Sequence, residues 1–302
     1  RRALESTPSA DIESTEIDDP DSFVGYSPTT GLKANQYKNF LSQFVGNAFI
    51  DLAITKNLSF KTDLSYQGRN TSQRYYQLNI LPKGISKGGW AKTSEGLLKV
   101  LTNTNTLNYN LGFTDHKIDM VFGQSIELTD SYAVISSNYG FANDYLTFYA
   151  PQTALFNDPD TYRASSSKLI SFFSRVNYTY KNKFLFTFTG RADGASKFAE
   201  NKKFGFFPAF ALGYKLSEEK FLKDSKSISS LKLRLSYGLS GNQAIQPYQS
   251  LDQLASSMTA FGAGGVTEAL SPVFYAAQLP NNNLQWEQSA QTNVGFDLEL
   301  LN

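Results

Sequence analysis

The sequence contains no cysteine and a single histidine, His116. Without cysteine the chain can form neither disulfide bonds nor thiolate metal sites. One histidine argues against His-based zinc sites and against a Ser-His-Asp catalytic triad. The formal net charge is only +1, without a long basic stretch, so nucleic-acid binding has little support. We therefore predict a protein that is not an enzyme, with no catalytic residues, metal site, cofactor or nucleic-acid partner.

Long apolar runs are also missing, because none reaches the roughly 18 residues of a transmembrane helix. This does not argue against a membrane barrel, whose strands alternate and escape hydropathy scans. A signal peptide is not visible at Arg1, and the chain stops one residue after the apolar pair Leu300-Leu301. We interpret the chain as a fragment of a longer protein.

Aromatic residues are abundant, with 24 Phe and 17 Tyr among the 302 residues. Asn, Ser, Thr and Gly are plentiful as well. This mixture favours strands joined by polar loops over helices.

The strongest pattern is an alternation of apolar and polar residues with a period of two. In the segment 58–69, Leu58, Phe60, Leu64 and Tyr66 share one face, and every residue of the other face is polar. The alternation recurs in about nine segments. These segments are 40–54, 58–69, 107–113, 118–128, 170–180, 184–188, 204–214, 231–237 and 286–300.

The expected strands run about 10 to 17 residues, which exceeds the usual globular strand and suits a tilted bilayer crossing. The predicted connections alternate between short (56–57, 114–116, 181–183 and 217–230) and long (70–96, 129–168, 193–203 and 241–285). Outer-membrane barrels have this layout. A soluble sandwich would need a partner sheet for every apolar face. We therefore predict an all-β, antiparallel up-and-down transmembrane β-barrel, present here as about nine strands of a larger barrel of about 22 strands.

Aromatic residues also gather at the predicted strand ends, where two belts at the membrane interfaces would place them. Beside the short turns lie Phe113, Tyr178, Tyr180, Phe184 and Tyr214, and beside the long loops lie Tyr66, Phe204, Tyr237 and Trp286. Ordinary core aromatics of a soluble β protein are the alternative.

Several motifs follow one another in the second half of the chain. They are Arg191-Ala192-Asp193-Gly194-Ala195-Ser196-Lys197-Phe198, Gly205-Phe206-Phe207-Pro208, Ser217-Glu218-Glu219, the run from Leu231 to Gln243, Leu284-Gln285-Trp286-Glu287 and the run from Gln291 to Asp297. In this order they resemble the SusC/RagA family of TonB-linked outer-membrane proteins. Ala195 stands where the family pattern usually has Ser.

The resemblance implies that residues 1–302 are part of a TonB-dependent receptor-like barrel domain, without its plug domain and carboxy-terminal strands. It implies an importer of glycans or peptides, energised by the TonB complex, in the outer membrane of a Gram-negative, Bacteroidota-type bacterium. Its implied partners are a SusD-like surface lipoprotein, outer-membrane lipid and an oligosaccharide or peptide substrate. A ligand-sensing signalling receptor and a passive porin or adhesin-like barrel remain as alternatives.

We predict structural roles for the motif residues. These are Arg191, Asp193, Gly194, Ser196, Phe198, Pro208, Gly238, Gly241, Asn242 and Trp286. Gly194 is expected in a tight turn flanked by charged residues, Pro208 at a β-bulge, and Ser217 at the cap of a short helix.

Ligand contacts are predicted in the outward-facing loops, where aromatic residues are frequent. Trp90, Tyr139, Tyr145 and Tyr149 are the candidates, since aromatic faces suit sugar rings or peptide side chains. Packing against neighbouring loops or a lid lipoprotein is the alternative. Asn157, Asp158 and Asp160 could supply hard oxygen ligands for calcium, but a solvated loop is the favoured interpretation.

Overall fold

The computed structural model of the protein describes residues 28–222, 227–260 and 270–300. Its twelve strands are β1 (Asn35–Ala53), β2 (Leu58–Gln77), β3 (Trp90–Phe113), β4 (His116–Tyr139), β5 (Phe156–Asn157), β6 (Thr161–Tyr180), β7 (Phe184–Ala195), β8 (Phe204–Lys215), β9 (Ile228–Asn242), β10 (Gln253–Ala260), β11 (Leu270–Gln278) and β12 (Glu287–Leu300). Two short helices, α1 (Pro28–Ala34) and α2 (Pro82–Lys87), precede β1 and β3.

The strands form one large sheet with the order β1-β2-β3-β4-β6-β7-β8-β9-β12, in which β5 pairs with the end of β4. This path contains the nine segments that alternation predicted. Antiparallel registers run without interruption through β6–β7 and β7–β8, and β12 pairs antiparallel with β9. The hairpin β10–β11 makes a separate two-stranded sheet. The all-β antiparallel fold is therefore confirmed.

The strands are longer than expected. β2 has 20 residues, and β3 and β4 have 24 each. All of 70–77 and 90–96, predicted as loop, is strand, and the loop prediction for 129–139 and 161–168 is wrong for the same reason. In these extensions both faces carry polar residues, as in Thr71-Ser72-Gln73-Arg74, so the alternation disappears while the backbone pairing continues.

The apolar face that alternation identified is solvent-accessible in this chain. The exposed apolar side chains of the strands include Ile50, Leu52, Leu64, Phe122, Phe172, Phe210, Leu235 and Phe296. A soluble sandwich would bury such a face against a second sheet. The pattern fits a wall whose apolar side is covered by lipid. Among the helices that the structure describes, none combines the length and apolar character that a membrane crossing would need.

The chain divides into two compact units. The first comprises Arg1–Val45, Tyr66–Val100 and Asp130–Ser165, and the second comprises Gly46–Ser65, Leu101–Thr129 and Ser166–Asn302. Each has its own small cluster of buried residues, around Tyr76 and Phe148 in the first and around Phe198 and Trp286 in the second.

Aromatic rings at the short turns of the second unit form a contiguous row. The His116 ring lies 4.8 Å from Phe113 and 4.9 Å from Tyr180, and Phe184 stacks on Tyr214 at 4.8 Å between ring centroids. His116 Nδ1 lies 2.8 Å from the Tyr178 hydroxyl oxygen. The row has the composition of an interfacial belt.

Trp286 does not belong to an exposed belt, contrary to its predicted place there. Only 8% of it is exposed, because it packs inside the buried cluster of the second unit. Phe204 and Tyr237 are exposed, as a belt requires.

The short connection after β8 also differs from its prediction. A 3-10 turn spans Leu216–Glu218, and its N-cap is Lys215, so Ser217 does not cap a helix. Glu219 orders this connection instead. Its carboxylate accepts a hydrogen bond from the Tyr214 hydroxyl at 2.8 Å and lies 3.3 Å from the Lys183 ammonium. The Tyr214 hydrogen bond and then Lys183 hold the pKa of Glu219 below its usual value.

Candidate functional site

The motif residues of the second unit converge on one buried assembly. Arg191 donates from Nε to both Asp193 carboxylate oxygens at 2.7 Å and from Nη2 to Ser171 Oγ at 2.8 Å. Ser171 and Asp193 are opposite each other in the β6–β7 register, and both are buried. A buried charge is stabilised when it is paired and hydrogen-bonded, so these three side chains lock β6 to β7.

Beside them lies a hydrophobic cluster, the motif cluster, of Ala195, Phe198, Phe207 and Trp286. The Trp286 ring is 4.9 Å from Phe198 and 5.3 Å from Phe207 between centroids. Its indole N–H donates to the Lys203 carbonyl at 2.8 Å. Trp286 is thus almost fully enclosed, and the cluster joins the segment before β12 to the β7–β8 connection.

Two glycines make room for this cluster. A Cβ at Gly241 would lie 2.1 Å from Phe207 Cζ, and one at Gly205 would lie 3.0 Å from the Trp286 ring. Gly238 is tight against Ala209 in the same way, at 2.9 Å. Asn242 donates to Glu287 Oε2 at 2.9 Å, and Ser196 Oγ accepts the Lys168 N–H at 2.9 Å.

Gly194 and Pro208 have structural places that differ from their predictions. Gly194 lies within β7, opposite Ile170 and Phe204, rather than in a turn, and a Cβ there would meet the Phe204 ring at 2.7 Å. Pro208 pairs with Gly190 without a register shift, so the predicted bulge is wrong. The pairing of β8 with β9 begins at Ala209. Pro208 therefore has no partner in β9, and its missing N–H breaks no hydrogen bond on that side.

The first unit contains a different aromatic assembly, the aromatic loop surface. It is built on helix α2 and the connection 140–155, and its rings are Tyr76, Trp90, Tyr139, Phe141, Phe148, Tyr149 and Phe156. Two backbone hydrogen bonds join the segments, from Gly140 N–H to Lys87 O at 2.8 Å and from Phe141 N–H to Gly88 O at 2.7 Å. Gly88, Gly89 and Gly140 adopt positive φ angles, which allow the chain to turn here.

Tyr76 is the centre of this assembly. It is fully buried, packs edge-on against Phe141 at 5.3 Å, and donates its hydroxyl to Asp144 Oδ1 at 2.7 Å. Asp144 also accepts the Asn79 N–H at 3.0 Å. Burial, followed by the hydrogen bond to Asp144, raises the pKa of Tyr76 well above its usual value. The 140–155 connection is therefore held in a defined conformation by a neutral tyrosine.

Three of the four predicted ligand residues lie in this surface, and each has a lysine beside its ring. The Lys83 ammonium is 3.3 Å from the Trp90 ring centroid and Lys87 is 3.8 Å from that of Tyr139. These two are cation–π contacts, in which the ammonium meets the electron-rich ring face. Lys38 donates a hydrogen bond to the Tyr149 hydroxyl at 2.5 Å and lies 5.0 Å from the centroid of that ring.

Tyr145, the fourth predicted residue, stands apart from these pairs. It is 87% exposed, Leu146 and Leu155 are exposed in the same connection, and Phe156 is exposed at the start of β5. Sequence reasoning missed the lysines, although Lys83 and Lys87 are four residues apart just before Trp90, a spacing that places both on one helix face.

The loop residues considered for calcium, Asn157, Asp158 and Asp160, lie beside the end of β4, with which Asn157 pairs. Asp160 accepts a hydrogen bond from Ser136, and Asn138 donates to Asn157 at 2.6 Å. Within residues 28–222, 227–260 and 270–300, no three histidine, aspartate or glutamate side chains converge in a way that could hold a metal ion.

Two curated relatives show similar sequences. TonB-dependent receptor P3 of Formosa agariphila is 32% identical over 270 residues, which are 89% of this chain and 26% of the relative. TonB-dependent receptor SusC of Bacteroides thetaiotaomicron is 37% identical over 158 residues, covering 50% of this chain and 15% of SusC. The chain thus spans about a quarter or less of the length of these relatives.

Solved structures of similar fold are described as those of the RagAB peptide transporter. One has a TM-score of 0.77 at 21% identity and covers 92% of this chain and 30% of its own. Another, of the RagAB peptide importer in the 'closed-closed' state, has a TM-score of 0.74 at 20% identity, covering 91% of this chain and 30% of its own. Both confirm the fold of a partial receptor barrel.

A family model described as "TonB dependent receptor-like, beta-barrel" matches residues 5–302. Proteins of this family are outer-membrane receptors rather than enzymes. The resemblance to SusC and RagA, the outer-membrane location and the non-enzymatic character are thereby confirmed. The chain belongs to the TonB-dependent receptor-like β-barrel family and is of the SusC/RagA type.

Proposed function

We propose that the protein containing this chain actively imports peptides or glycans across the outer membrane, energised by TonB and acting with a SusD-like surface lipoprotein. The observation that carries the proposal is the nine-stranded antiparallel path with an exposed apolar face, in a chain that belongs to this receptor family. The likeness to SusC and to the fold of RagAB, described as a peptide transporter, supports it.

Energy coupling separates this function from the two alternatives. Cells that produce the full-length protein would be given labelled peptide or oligosaccharide, with and without an uncoupler of the proton-motive force. We expect uptake to cease with the uncoupler. Uptake that persists would indicate a passive porin, and binding without uptake would indicate a signalling receptor.

The partnership with a lipoprotein rests on the exposed apolar residues of the β10–β11 hairpin. Leu254, Phe274 and Tyr275 face water in this chain, and exposed apolar patches mark protein interaction sites. The hairpin forms a separate two-stranded sheet, and the Asn281 N–H donates to the Ser250 carbonyl at 3.2 Å, so the two ends of the segment that carries the hairpin are adjacent.

Replacing residues 251–280 by Asn-Gly in the full-length protein should weaken co-purification of the lipoprotein while the barrel still inserts. Lys56→Ala, at the β1–β2 turn, is the control and should change neither property. Unaltered co-purification after this replacement, and after shortening of the 78–89 and 140–155 connections in turn, would contradict the partnership.

A further inference from the structure

The rings of the aromatic loop surface are poorly placed to stack on sugars. A sugar binds an aromatic residue by lying on its face, but Lys83 already lies over Trp90 and Lys87 over Tyr139. Phe156 stacks on Tyr139 as well, at 5.3 Å and 21°. Trp90 is half-buried with Tyr75 against it, at 5.4 Å between centroids. A stacked sugar would have to displace a lysine or a ring from either residue.

The same contacts prepare the lysines for an anion. Each ring holds its ammonium group in place, which lowers the entropy that binding would otherwise lose. In the described part of the chain, no carboxylate lies within the 4.0 Å ion-pair distance of Lys38, Lys83 or Lys87. The ammonium groups therefore retain donors for charge-assisted hydrogen bonds to a ligand.

The charged groups at the rings are mostly basic. Lys83 and Lys87 lie on α2, and Lys38 lies near the start of β1. Asp144, an acidic residue of the same assembly, is already bonded to Tyr76 and Asn79. The surface thus presents three ammonium groups that attract an acidic ligand.

Apolar side chains accompany the lysines. Tyr145, Leu146 and Leu155 are exposed in the connection that follows Tyr139 and contains Tyr149, and Phe156 is exposed directly after it. A uronic acid polymer would satisfy the lysines but leave these side chains without apolar partners. A peptide that mixes carboxylates with apolar side chains complements both.

From these contacts we infer that the aromatic loop surface binds acidic peptides, through Lys38, Lys83 and Lys87 and the apolar side chains beside them. This rests on the proposed function and deepens it by naming the substrate class of its loop site. The rings act as supports that position the ammonium groups. Tyr145, whose ring is open, contacts an apolar peptide side chain.

The test is equilibrium binding to the purified full-length receptor in lipid nanodiscs. The probes are a fluorescent peptide of Asp, Glu, Leu and Phe, the same peptide with Asn and Gln in place of the acids, a neutral maltooligosaccharide and an oligogalacturonate. We expect the acidic peptide to bind about tenfold more tightly than its amide counterpart, since three exposed ion pairs contribute modestly each. Added salt should reduce the difference.

Two triple variants keep the test decisive. Lys38→Met, Lys83→Met and Lys87→Met together should reduce the preference to within about twofold, whereas Arg at all three positions should retain it because the charge remains. Lys56→Met is the single-charge control and should bind as the unaltered receptor does.

Equal binding of the two peptides, or a preference that survives the Met variant, would overturn the inference. Tighter binding of the maltooligosaccharide than of the peptides would indicate that sugars stack on the rings. Equal binding of the oligogalacturonate and the acidic peptide would indicate that the ligand is an anionic glycan. Since binding is measured without energisation, failure here leaves active import intact. Conversely, uptake that is insensitive to an uncoupler would refute active import without affecting the binding result.

Discussion

The motif cluster and the aromatic loop surface are both made of aromatic rings but use them differently. In the motif cluster, Phe198 and Trp286 are 2% and 8% exposed, and the indole N–H is bonded to a backbone carbonyl. In the aromatic loop surface, Tyr149 is 56% exposed and has a lysine for a neighbour. Rings with every face and donor occupied hold strands together, whereas rings that leave charge and area at the surface are available to a ligand.

Exposure alone does not separate these roles, as Leu64 shows. It is 50% exposed, almost as much as Tyr149, yet it lies on the apolar face of β2. In a membrane protein such a face is covered by lipid rather than water. The consequences of a substitution therefore depend on which solvent the side chain meets.

The largest difference between the two aromatic regions should come from truncating a ring in each. Trp286→Ala should cost about 3–5 kcal/mol of stability, because it leaves a cavity and removes the hydrogen bond to Lys203. Tyr145→Ala should stay within about 0.5 kcal/mol, because the ring touches mainly water. Urea unfolding of the full-length protein in lipid vesicles measures both losses of stability. Similar losses would contradict the difference between the two aromatic regions.

An arginine on either side of β2 tests the lipid-covered face. Leu64→Arg should cost about 2–4 kcal/mol, as expected for a charge on the lipid side near the middle of the membrane. Ser65→Arg places the same charge on the opposite face of the strand and should cost much less. Folding stability in bilayers is again the measurement, and a greater cost at Ser65 would mean that the faces are reversed.

Close packing at the motif cluster can be tested without removing a ring. Gly241→Ala should cost about 1–3 kcal/mol, because the new Cβ would overlap Phe207. Gly112→Ala is the matched control in another strand, since its Cβ would come only within 4.0 Å of the His116 carbonyl oxygen. Equal losses of stability for the two substitutions would show that the motif cluster can relax to accept the new methyl group.

Within the aromatic loop surface, Tyr76→Phe tests whether Tyr76 holds the 140–155 connection in its conformation. Loss of the hydrogen bond to Asp144 should destabilise the 140–155 connection by about 1–2 kcal/mol and speed its hydrogen exchange. The raised pKa of Tyr76 means that its contribution is complete below the ordinary tyrosine pKa and is lost as the pH rises through the higher folded value. The Tyr76→Phe protein should not lose stability in this alkaline range. If hydrogen exchange in the 140–155 connection is unchanged at neutral pH, the Tyr76–Asp144 hydrogen bond does not hold the connection in place.

The smallest effect is expected at Glu219. Because its folded pKa is lowered, its contribution to stability is present above the ordinary carboxyl pKa and is lost as the pH falls through the folded value. Glu219→Gln should therefore be less stable than the unaltered protein at neutral pH, with the difference disappearing on acidification. A stability difference that does not change between neutral and acidic pH would exclude the charge as its cause.

The sequence by itself determined the type of fold and the facing of its strands. Alternation in segments such as 58–69 depends only on the two faces of a strand, so it could be recognised before any contact was known. The order of the motifs between Arg191 and Asp297 likewise pointed to the family that the chain belongs to. Local reasoning was less successful at Gly194 and Pro208, whose places depend on neighbouring strands.

Tertiary structure alone decided which aromatic residues are structural and which remain at the surface. Trp286 directly precedes a strand and Trp90 begins one, but Trp286 is enclosed by Phe198, Phe207 and a backbone carbonyl, while Trp90 lies beneath Lys83. Lys38 reaches Tyr149 across 111 positions of sequence, and Tyr76 reaches Asp144 across 68. No periodicity encodes such pairs, because they arise only when a strand and a distant connection fold against one another.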